Sequence, residues 1–478
     1  MANNRHFYIN GQWVAPTTPN DFDVINPSNE EVCATISLGS QADTDIAVAA
    51  AKAAFPAWAA VPHAEKLALL VSLLDEYKKR SGDLAEAMSL EMGAPIDLSK
   101  TAQVGAGIWH ITNFIDLYKD FKFDRMLSDA APNDRILMEP IGVCAMITPW
   151  NWPMNQVTLK CIPAMAAGCT MVLKPSEIAP LSSIVFTEIV DAVGFPKGVY
   201  NMVNGDGVGV GTQLSVHPDV EMVSFTGSTR AGALITKAAA DTVKRVSLEL
   251  GGKGANIIYA DADEKAVKRG VLHCMQNSGQ SCNAPTRMLV ERSVYDQAVE
   301  TAAEVAGSIK VAPADKEGRH IGPVVSELQY NKIQDMIQTG IDEGARLVAG
   351  GLGRPDGLNR GYYVRPTVFA DVSNDMTIAQ QEIFGPVLSI IPFDTEQQAL
   401  EIANDTVYGL TNYVQTQDHA KANRAARALR SGMVEINGTS RGAGAPFGGY
   451  KQSGNGREGG VWGLDDFLEV KSVSGWVE

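Results

Sequence analysis

One cysteine of the chain lies in a setting that suits nucleophilic chemistry. Cys282 follows a predicted helix and sits in the polar, glycine-containing segment 277–283. A thiol in an accessible loop can ionise and attack a carbonyl carbon. The alternative is a loop cysteine without a chemical role. Four other cysteines lie in apolar runs, where burial and packing are expected instead: Cys144, Cys161, Cys169 and Cys274.

A carboxylate that could act as a general base ends a predicted strand. The segment 245–250 alternates apolar residues with Ser247 and Glu249, which predicts a strand with one polar face. Gly251 and Gly252 follow, so Glu249 is expected at the rim of a crevice, where it could accept a proton. The alternative is a solvent-facing carboxylate on an edge strand.

Three further polar segments follow predicted strands. Asn151 could donate a hydrogen bond to an oxyanion, or simply form an Asx turn or helix cap. Lys174 and Glu177 could hold sugar hydroxyls, or be solvated loop charges. Phe225–Ser228 opens a helix, whose free N–H groups suit a phosphate. The G-x-G-x-x-G fingerprint is absent, and glycine recurs at every second position from 205 to 211. These residues indicate an α/β enzyme with a candidate thiol and a nucleotide-like crevice.

The elements that must position these residues alternate between residues 140 and 260. The pattern predicts strands over 142–148, 170–174, 200–203, 222–226 and 245–250, and helices over 154–167, 181–193, 208–216 and 230–239. Gly168 and Gly194 stand where C-terminal helix caps belong. Five strands alternating with four helices predict a parallel α/β sheet, in which ligands bind at the carboxyl ends of the strands. A second alternating stretch, about 255–440, predicts a second α/β domain.

The rest of the chain divides into a helical start and two extended segments. The first 120 residues are predicted to be mostly helical, with helices over 46–60, 63–92 and 98–121; Ser40 and Asp43 have the spacing of a capping box. The segment 120–138 is polar and extended. The tail 467–476 alternates apolar and polar residues, as an edge strand would.

Composition excludes several classes of protein. The 478 residues suggest about three structural units, and 45% hydrophobic with 20% charged residues is typical of globular proteins. Forty basic and 55 acidic residues leave a net charge of −15, which disfavours binding to nucleic acids or anionic membranes. Six cysteines are too sparse for a disulfide framework, and no clustered Cys/His ligand set indicates a metal. Without a signal segment or an apolar span, we expect a cytoplasmic protein.

Seven motifs follow one another in order across nearly the whole chain: PWNWP (Pro149–Pro153), KPSE (Lys174–Glu177), FTGS (Phe225–Ser228), ELGGK (Glu249–Lys253), GQSC (Gly279–Cys282), EIFGP (Glu382–Pro386) and PFGGYKQSG (Pro446–Gly454). Together they resemble the motifs of the NAD(P)-dependent aldehyde dehydrogenase superfamily. Any one of these motifs is weak evidence by itself. Seven in order, at the spacing of the family, make the resemblance specific.

The resemblance implies an enzyme that oxidises a small-molecule aldehyde through a thioester. Cys282 would be the nucleophile and Glu249 the general base, and Asn151 with the backbone N–H of Cys282 would form the oxyanion hole. The cofactor would be held by Thr148, Pro149, Trp150, Lys174, Ser176, Glu177, Gly207, Gly211, Phe225, Thr226, Gly227, Ser228, Leu250, Glu382 and Phe384. The substrate channel would be lined by Trp152, Gln156, Leu159, Ser281, Asn283 and Arg441.

Within this resemblance, single residues predict the choice of cofactor, the mode of deacylation and the class of substrate. Glu177 would accept hydrogen bonds from ribose hydroxyls and repel a 2′-phosphate, so NAD is expected rather than NADP. Glu249 favours hydrolysis over acyl transfer to coenzyme A. Arg441 could clamp the carboxylate of a semialdehyde, or pair with a neighbouring acid; an aromatic aldehyde is a further expectation. The alternatives are an NADP-preferring or acyl-transferring relative, or a non-catalytic nucleotide-binding protein of the same fold.

The resemblance also implies an α/β fold in three parts. A Rossmann-type NAD-binding domain with a parallel sheet would comprise residues 1–118 and 141–250. An α/β catalytic domain would comprise residues 251–450. A small β arm, residues 119–140 and 451–478, would join subunits, so a homodimer or homotetramer is expected.

Overall fold

In the computed structural model, which describes residues 3–477, the strands form four separate sheets. In chain order the strands are β1 (Phe7–Ile9), β2 (Gln12–Val14), β3 (Asp21–Asn26), β4 (Glu31–Ser37), β5 (Asp124–Ser128), β6 (Ala131–Pro140), β7 (Val143–Ile147), β8 (Thr170–Lys174), β9 (Tyr200–Met202), β10 (Met222–Thr226), β11 (Arg245–Glu249), β12 (Ala255–Ile258), β13 (Arg287–Glu291), β14 (Arg346–Ala349), β15 (Thr367–Ala370), β16 (Val387–Phe393), β17 (Thr411–Gln415), β18 (Met433–Ile436) and β19 (Leu468–Ser474).

Helices cover both large sheets and occupy most of residues 41–120. In chain order they are α1 (Gln41–Ala59), α2 (His63–Lys79), α3 (Ser81–Met92), α4 (Ile96–Leu98), α5 (Val104–Asp120), α6 (Pro153–Ala167), α7 (Leu181–Val193), α8 (Thr212–Val216), α9 (Thr229–Ala239), α10 (Ala266–Met275), α11 (Tyr295–Ser308), α12 (Glu327–Asp342), α13 (Thr377–Gln380), α14 (Glu396–Asn404), α15 (His419–Ala428) and α16 (Gly460–Asp465). No helix in the described chain combines the length and the apolar character that crossing a bilayer requires.

The first large sheet has the strand order β11-β10-β7-β8-β9-β1-β2. Strands β7 to β11 are parallel, as the alternating pattern predicts, and β1 and β2 extend the sheet in the antiparallel sense. The carboxyl ends lie side by side: Thr226 is opposite Glu249, and Ile147 is opposite both Phe225 and Lys174. The polar segments that follow these strands therefore meet at one rim of the sheet.

The second large sheet confirms the prediction of a second α/β unit. Its order is β14-β15-β16-β13-β12-β17-β18, with β14 antiparallel to the parallel remainder. Strands β12 and β15 are buried throughout, and β13 and β16 almost throughout. Continuous apolar strands of this kind are typical of parallel sheets that are covered on both faces.

Strands β5, β6 and β19 form a third, antiparallel sheet in the order β19-β6-β5, which confirms the predicted edge strand in the tail. The segment 451–467, assigned above to the same arm, instead packs beside the first large sheet. Gly454 forms a β-bridge with Glu249, and Ser453 Oγ donates to the Gly251 carbonyl at 2.6 Å. A Cβ at Gly454 would lie 1.9 Å from the Leu248 carbonyl, so the close approach requires glycine.

Local sequence signals fix several helix ends. Ser40 and Asp43 form the predicted capping box at the start of α1, and Gly168 and Gly194 end α6 and α7 with φ of 99° and 80°. The single helix predicted over 63–92 is wrong. Two helices meet at Arg80, because its non-helical backbone turns the chain so that α3 packs on α7.

Candidate active site

Cys282 is held by a tight loop between α10 and β13. Asn277 and Ser278 adopt left-handed backbone conformations, with φ of 52° and 57°, and Gly279 continues the turn with φ of 73°. A Cβ at Gly279 would lie 2.1 Å from the Gly385 carbonyl, so the loop is pressed against a neighbouring segment. The loop therefore places Cys282, which remains partly exposed, at a defined position.

Two cavities meet at this cysteine. Of the predicted site residues, the first cavity, of about 210 Å³, is lined by Pro149, Trp150, Asn151, Thr226, Gly227, Ser228, Glu249, Leu250, Cys282, Glu382 and Phe384. The second, of about 230 Å³, is lined by Trp152, Gln156, Leu159, Ser281, Cys282, Asn283 and Arg441. Among the residues that the structure describes, Cys282 is the one that lines both cavities. The remaining predicted residues, Thr148, Lys174, Ser176, Glu177, Gly207, Gly211 and Phe225, line neither.

Asn151 is locked by hydrogen bonds to the loop that carries Cys282. The side-chain Nδ2 of Asn151 donates to the Gln280 backbone carbonyl at 3.0 Å. The backbone carbonyl of Asn151 accepts from Gln103 Nε2 at 3.2 Å and from Asn277 Nδ2 at 3.0 Å. An amide nitrogen carries two N–H groups, so one N–H of Asn151 remains for a ligand. The side chain is buried, and its position follows from both helix α6 and the cysteine loop.

Glu249 ends strand β11 as a buried carboxylate. Strand β11 is at the edge of its sheet, yet Glu249 is only 2% exposed, because the segment containing Gly448 and Gly454 covers it. Neither carboxylate oxygen has a hydrogen-bond partner. Burial, followed by the charge of Glu458, raises the pKa of Glu249 well above its usual value. The solvent-facing alternative for this residue is therefore wrong.

The electrostatic surroundings of Cys282 oppose ionisation of its thiol. Burial raises its pKa to about 12, and the carboxyl groups of Glu382, Glu249 and Glu458 act in the same direction. Arg441 acts in the opposite direction, but less strongly. In the ligand-free state the cysteine is therefore protonated at neutral pH, and a positive charge or a base must act before it becomes a good nucleophile.

A buried ion pair that the motifs do not indicate lies beside these residues. Lys160 Nζ is 2.6 Å from Glu458 Oε1 and donates to Ser224 Oγ at 3.1 Å. Glu458 Oε2 has no hydrogen-bond partner, and the residue lines the second cavity. The pair links helix α6 to the segment that covers Glu249.

Lys174 ends strand β8, and its side chain lies next to that of Glu177. Lys174 Nζ donates to the carbonyls of Pro175 at 2.9 Å and Gly205 at 2.5 Å, and lies 3.3 Å from Glu177 Oε2. The lysine and Ser176 are buried, whereas Glu177 is half-buried. Because the ammonium group is already hydrogen-bonded, Glu177 is the more available group for a ligand hydroxyl.

The N-terminus of α9 opens on the first cavity. Ser228 caps the helix by accepting from the backbone N–H of Ala231 at 3.3 Å, and the buried hydroxyl of Thr226 has no partner. A Cβ at Gly227 would lie 2.4 Å from the ring of Phe225, so this ring supports the turn from beneath. Free N–H groups at the start of an 11-residue helix suit a phosphate.

Two further glycines of the predicted cofactor set form a tight helical turn beside Lys174. Gly207 and Gly211 bound this turn, and Asp206 Oδ1 accepts from the backbone of Gly209 at 2.6 Å. A Cβ at Gly211 would lie 3.8 Å from the lysine side chain. Thr148 donates its backbone N–H to the Lys174 carbonyl at 3.1 Å, which ties the ends of β7 and β8 together.

Glu382 and Phe384 close the first cavity opposite the sheet. Glu382 Oε1 accepts from the backbone of Gly252 at 2.8 Å, and burial raises its pKa. Phe384 has φ of 60°, a strained conformation for a bulky residue, and its ring meets Trp150 edge-on at 5.4 Å. Leu250 packs below, against helix α9 at Gly232.

The second cavity has aromatic walls with polar groups between them. Trp152 Nε1 donates to Ser281 Oγ at 2.8 Å, and the Asn283 carbonyl accepts from the Tyr413 hydroxyl at 2.6 Å. Beyond the predicted residues, the lining includes Trp109, His110, Asn113, Phe114, Asn155, Phe447 and Glu458. Phe447 belongs to the last motif, and the other six residues lie outside all seven motifs.

Arg441 at this cavity is paired with an acid. Its Nε lies 3.8 Å from Glu435 Oε1, and its guanidinium stacks over Phe447 at 4.8 Å. Pairing is one of the two alternatives that the sequence left open. Burial raises the pKa of Glu435, and Arg441 counteracts this effect.

A buried lysine within one of the motifs was not among the predicted site residues. Lys253 closes the Glu249–Lys253 motif, and its Nζ is buried without a hydrogen-bond partner. Burial, and next the charge of Arg287, lowers its pKa to about 7. No group of three or more His, Cys, Asp or Glu side chains within residues 3–477 is placed to hold a metal ion.

Comparisons with known proteins agree with this architecture along the whole chain. The model of the aldehyde dehydrogenase family matches residues 13–473. A 3-succinoylsemialdehyde-pyridine dehydrogenase from a Pseudomonas species is 50% identical over 478 residues, which cover 100% of this chain and 99% of the relative.

Solved structures show the same fold. An aldehyde dehydrogenase from Bartonella henselae matches with a TM-score of 0.99 and 59% identity, covering 100% of both chains. A mutant of aldehyde dehydrogenase C from Pseudomonas syringae, in complex with NAD+ and octanal, matches with a TM-score of 0.98 and 48% identity, covering 100% of this chain and 98% of the other. With its motifs, its sheets and its relatives in agreement from end to end, the chain belongs to the aldehyde dehydrogenase family.

Proposed function

We propose that this protein oxidises an aldehyde to the carboxylic acid, with NAD as hydride acceptor and Cys282 as nucleophile. The observation that carries the proposal is the position of Cys282 between the two cavities. An aldehyde in the second cavity and the nicotinamide end of a dinucleotide in the first would reach the same sulfur atom from opposite sides. Asn151 and Glu249 line the first cavity beside it.

Addition of the thiolate to the carbonyl carbon creates an alkoxide that needs hydrogen-bond donors. We assign these to the free N–H of Asn151 and to the backbone N–H of Cys282. The bond from Asn151 to the Gln280 carbonyl fixes the amide before the substrate arrives. Preorganised donors of this kind stabilise developing charge without reorganising during the reaction.

Glu249 supplies the base in this assignment. Its unpaired, buried oxygens and its raised pKa favour uptake of a proton from the water that hydrolyses the thioester. Water deprotonated by Glu249 attacks the thioester, the acid is released and the thiolate is restored. Hydrolysis is therefore the proposed deacylation, rather than acyl transfer.

The residues of the first cavity fit the pyrophosphate and the nicotinamide end of a dinucleotide. Bound NAD would supply the hydride acceptor, and loss of a hydride from the tetrahedral carbon would turn the thiohemiacetal into a thioester. The unpaired hydroxyl of Thr226 and the N-terminus of α9 at Ser228 suit the pyrophosphate. Glu382 would hold the nicotinamide ribose, and the ring of Phe384, held at 5.4 Å from Trp150, would pack near the nicotinamide.

Glu177 supports NAD in preference to NADP. Its carboxylate stands beside Lys174, whose ammonium is already shared with two carbonyls. Ribose hydroxyls can donate to the carboxylate, whereas a 2′-phosphate would meet a like charge. The Pseudomonas syringae structure with NAD+ bound is a relative of this chain and supports the same choice.

The lining of the second cavity supports an aromatic aldehyde as substrate. Trp109, Phe114, Trp152 and Phe447 present rings to it. Arg441, the candidate clamp for a semialdehyde carboxylate, is engaged with an acid. The Pseudomonas relative is named for a substrate that joins a pyridine ring to a semialdehyde, so a ring-bearing semialdehyde is the second candidate.

We also propose a homo-oligomer, dimer or tetramer, in the cytoplasm. The three-stranded sheet of β5, β6 and β19 projects mostly exposed strands, with β5 exposed at every residue. Such a sheet gains stability when another chain covers its free edge. Size-exclusion chromatography with light scattering would distinguish the two assemblies.

The thiol mechanism is tested by NADH formation from short aliphatic, aromatic and carboxylate-bearing aldehydes. Cys282→Ala should abolish it. Glu249→Gln should form about one NADH per subunit and then stall, because acylation proceeds while hydrolysis fails. Cys33→Ala, a half-buried cysteine outside both cavities, serves as the matched control.

Each outcome separates the alternatives. Full activity in Cys282→Ala would refute the assignment of the nucleophile. Activity in Glu249→Gln that rises with coenzyme A would indicate an acyl-transferring enzyme. NAD binding without turnover of any aldehyde would support the non-catalytic alternative.

A further inference from the structure

Two residues that line the second cavity each carry a buried amide atom without a hydrogen-bond partner in the protein. Gln156 lies on α6 and Asn113 on the packed helix α5, and both line the cavity that Cys282 shares. Gln156 is 3% exposed, and its Oε1 has no hydrogen-bond partner. The Nδ2 of Asn113 is also buried without a partner. Two residues of one cavity lining therefore carry an acceptor and a donor that no group of the protein satisfies.

Several neighbouring polar groups have partners, and Glu458, whose Oε2 is unpaired, still pairs with Lys160 through its Oε1. Asn155 Oδ1 lies 2.8 Å from His110 Nε2, and the indole of Trp152 donates to a serine hydroxyl at 2.8 Å. A buried polar group without a partner costs roughly 1–3 kcal/mol. Buried groups left in this state in native proteins call for an explanation, and a ligand that supplies the missing bonds is one.

The chemistry of the missing partner follows from one acceptor and one donor. A hydroxyl group can donate to Gln156 Oε1 and accept from Asn113 Nδ2 at the same time. A carboxylate offers acceptors only. It would suit the site only if the side-chain amide of Gln156 rotated so that its NH2 group, rather than its oxygen, faced the ligand. Arg441 is the one guanidinium or ammonium group among the described residues lining this cavity, and it is paired with Glu435. Burial lowers the pKa of His110 to about 4, so this ring adds no positive charge at neutral pH.

The shape of the cavity narrows the substrate further. The rings of Trp109, Phe114 and Phe447 line it. Its volume of about 230 Å³ is below the roughly 300–1,000 Å³ of pockets for drug-sized ligands. A single substituted ring suits this space better than a long or branched chain.

We propose that Gln156 and Asn113 hold a hydroxyl group on the ring of an aromatic aldehyde and thereby set the substrate preference of the enzyme. The inference rests on the aldehyde oxidation proposed above. Both residues act by positioning: they bind the far end of the substrate while Cys282 attacks the aldehyde carbon. Neither takes part in the transfer of a proton or hydride.

The experiment compares benzaldehyde, the three monohydroxybenzaldehydes and the matching carboxybenzaldehydes as substrates. The acid product is measured by chromatography, because phenolates absorb near the NADH band. Wild type should prefer at least one hydroxybenzaldehyde over benzaldehyde by about tenfold or more in kcat/KM. Gln156→Met and Asn113→Leu should each lower that ratio about tenfold, mainly through KM. Gln338→Met, an exposed glutamine on α12, should keep the wild-type ratio.

The outcomes distinguish this inference from the function on which it rests. No acid from any aldehyde in wild type would overturn both. Turnover of benzaldehyde with an unchanged ratio in both variants would overturn the inference alone. Equal losses on benzaldehyde and hydroxybenzaldehydes would also overturn it, because a purely structural role predicts that result. If wild type preferred a carboxybenzaldehyde and the variants lost that preference, the proposal of a bound hydroxyl would be overturned and the bound group would be a carboxylate.

Discussion

The buried pair of Lys160 and Glu458 allows the electrostatic reasoning to be tested without substrate. The two side chains are 1% and 6% exposed, and Nζ and Oε1 are 2.6 Å apart. At an effective dielectric constant of about 20, unit charges at this distance attract by ~6 kcal/mol. Desolvation of both ions consumes most of that gain, so the net value of the pair is small. Removing only one partner should destabilise the protein strongly, because the charge of the other partner then stays buried and unpaired.

We therefore expect Lys160→Met to destabilise the protein by about 3–5 kcal/mol. The methionine keeps most of the volume, but the carboxylate of Glu458 then lies uncompensated beside Glu249. For a cooperative unit of roughly 200 residues, this loss lowers Tm by about 6–20 °C. The double variant Lys160→Met/Glu458→Gln removes both charges and should recover most of the loss.

Scanning calorimetry at several protein concentrations measures this effect and reveals any contribution from subunit dissociation. Lys52→Met provides the matched control, because Lys52 pairs with Asp219 at 2.5 Å on the surface, where both side chains are well exposed. Its loss should cost less than about 1 kcal/mol. If the double variant melted as low as Lys160→Met, the cost would come from packing, and the argument from an unpaired buried charge would be refuted.

Three further outcomes concern the active site. Alkylation of Cys282 by iodoacetamide in the cofactor-free protein should accelerate about tenfold per pH unit between about pH 7 and 9, because a pKa near 12 keeps the thiolate scarce. Glu249→Gln should raise the rate at each pH by removing a nearby acid, and a rate independent of pH would contradict this. Glu177→Gln should shift the ratio of kcat/KM for NADP over NAD upwards by about tenfold, equivalent to about 1.4 kcal/mol, in an NADH absorbance assay; an unchanged ratio would place Glu177 away from the 2′ position. Arg441→Ala should reduce steady-state kcat/KM by similar factors for neutral and carboxylate-bearing aldehydes, since the guanidinium pairs with Glu435. A loss confined to the carboxylate-bearing substrates would assign Arg441 to the substrate instead.

Elements with a strong local signal are the ones that the sequence predicts well. Strand Thr170–Lys174 and helix Leu181–Val193 have the predicted bounds, because apolar runs of suitable length lie between Gly168 and Gly194. The two N-terminal strands Phe7–Ile9 and Gln12–Val14 were missed. Each has three residues, too few to show a period of two, and they exist because the edge of the first sheet is there to pair with them.

Part of the second sheet was missed for a related reason. Ala255–Ile258 is short and apolar at three of its four positions, and a buried strand of this kind cannot be told from a helix by periodicity. Its identity as a strand follows from pairing with β13 and β17, whose paired residues lie about 30 and about 160 positions further along the chain. Long-range pairing of this kind leaves no mark on the local sequence.

In the site, too, some residues can be found from local motifs, whereas others are placed only by packing between distant parts of the chain. Asn151 and Cys282 stand in motifs, and the structure brings them to one cavity. Asn113 stands on an amphipathic helix, where a polar residue usually signifies a solvated face. Only the packing of α5 on α6 turns it towards the substrate side.

Glu249 shows why this division matters for chemistry. A carboxylate on an edge strand is ordinarily solvated, and its pKa is then too low for a useful base at neutral pH. Here the chain returns some 200 residues later, and Gly448 and Gly454 allow its backbone to lie directly against the strand. That cover excludes water and places Glu458 nearby, and both effects raise the pKa of Glu249. A side chain at either glycine would push the cover away, so the basicity of Glu249 depends on residues that never touch the substrate.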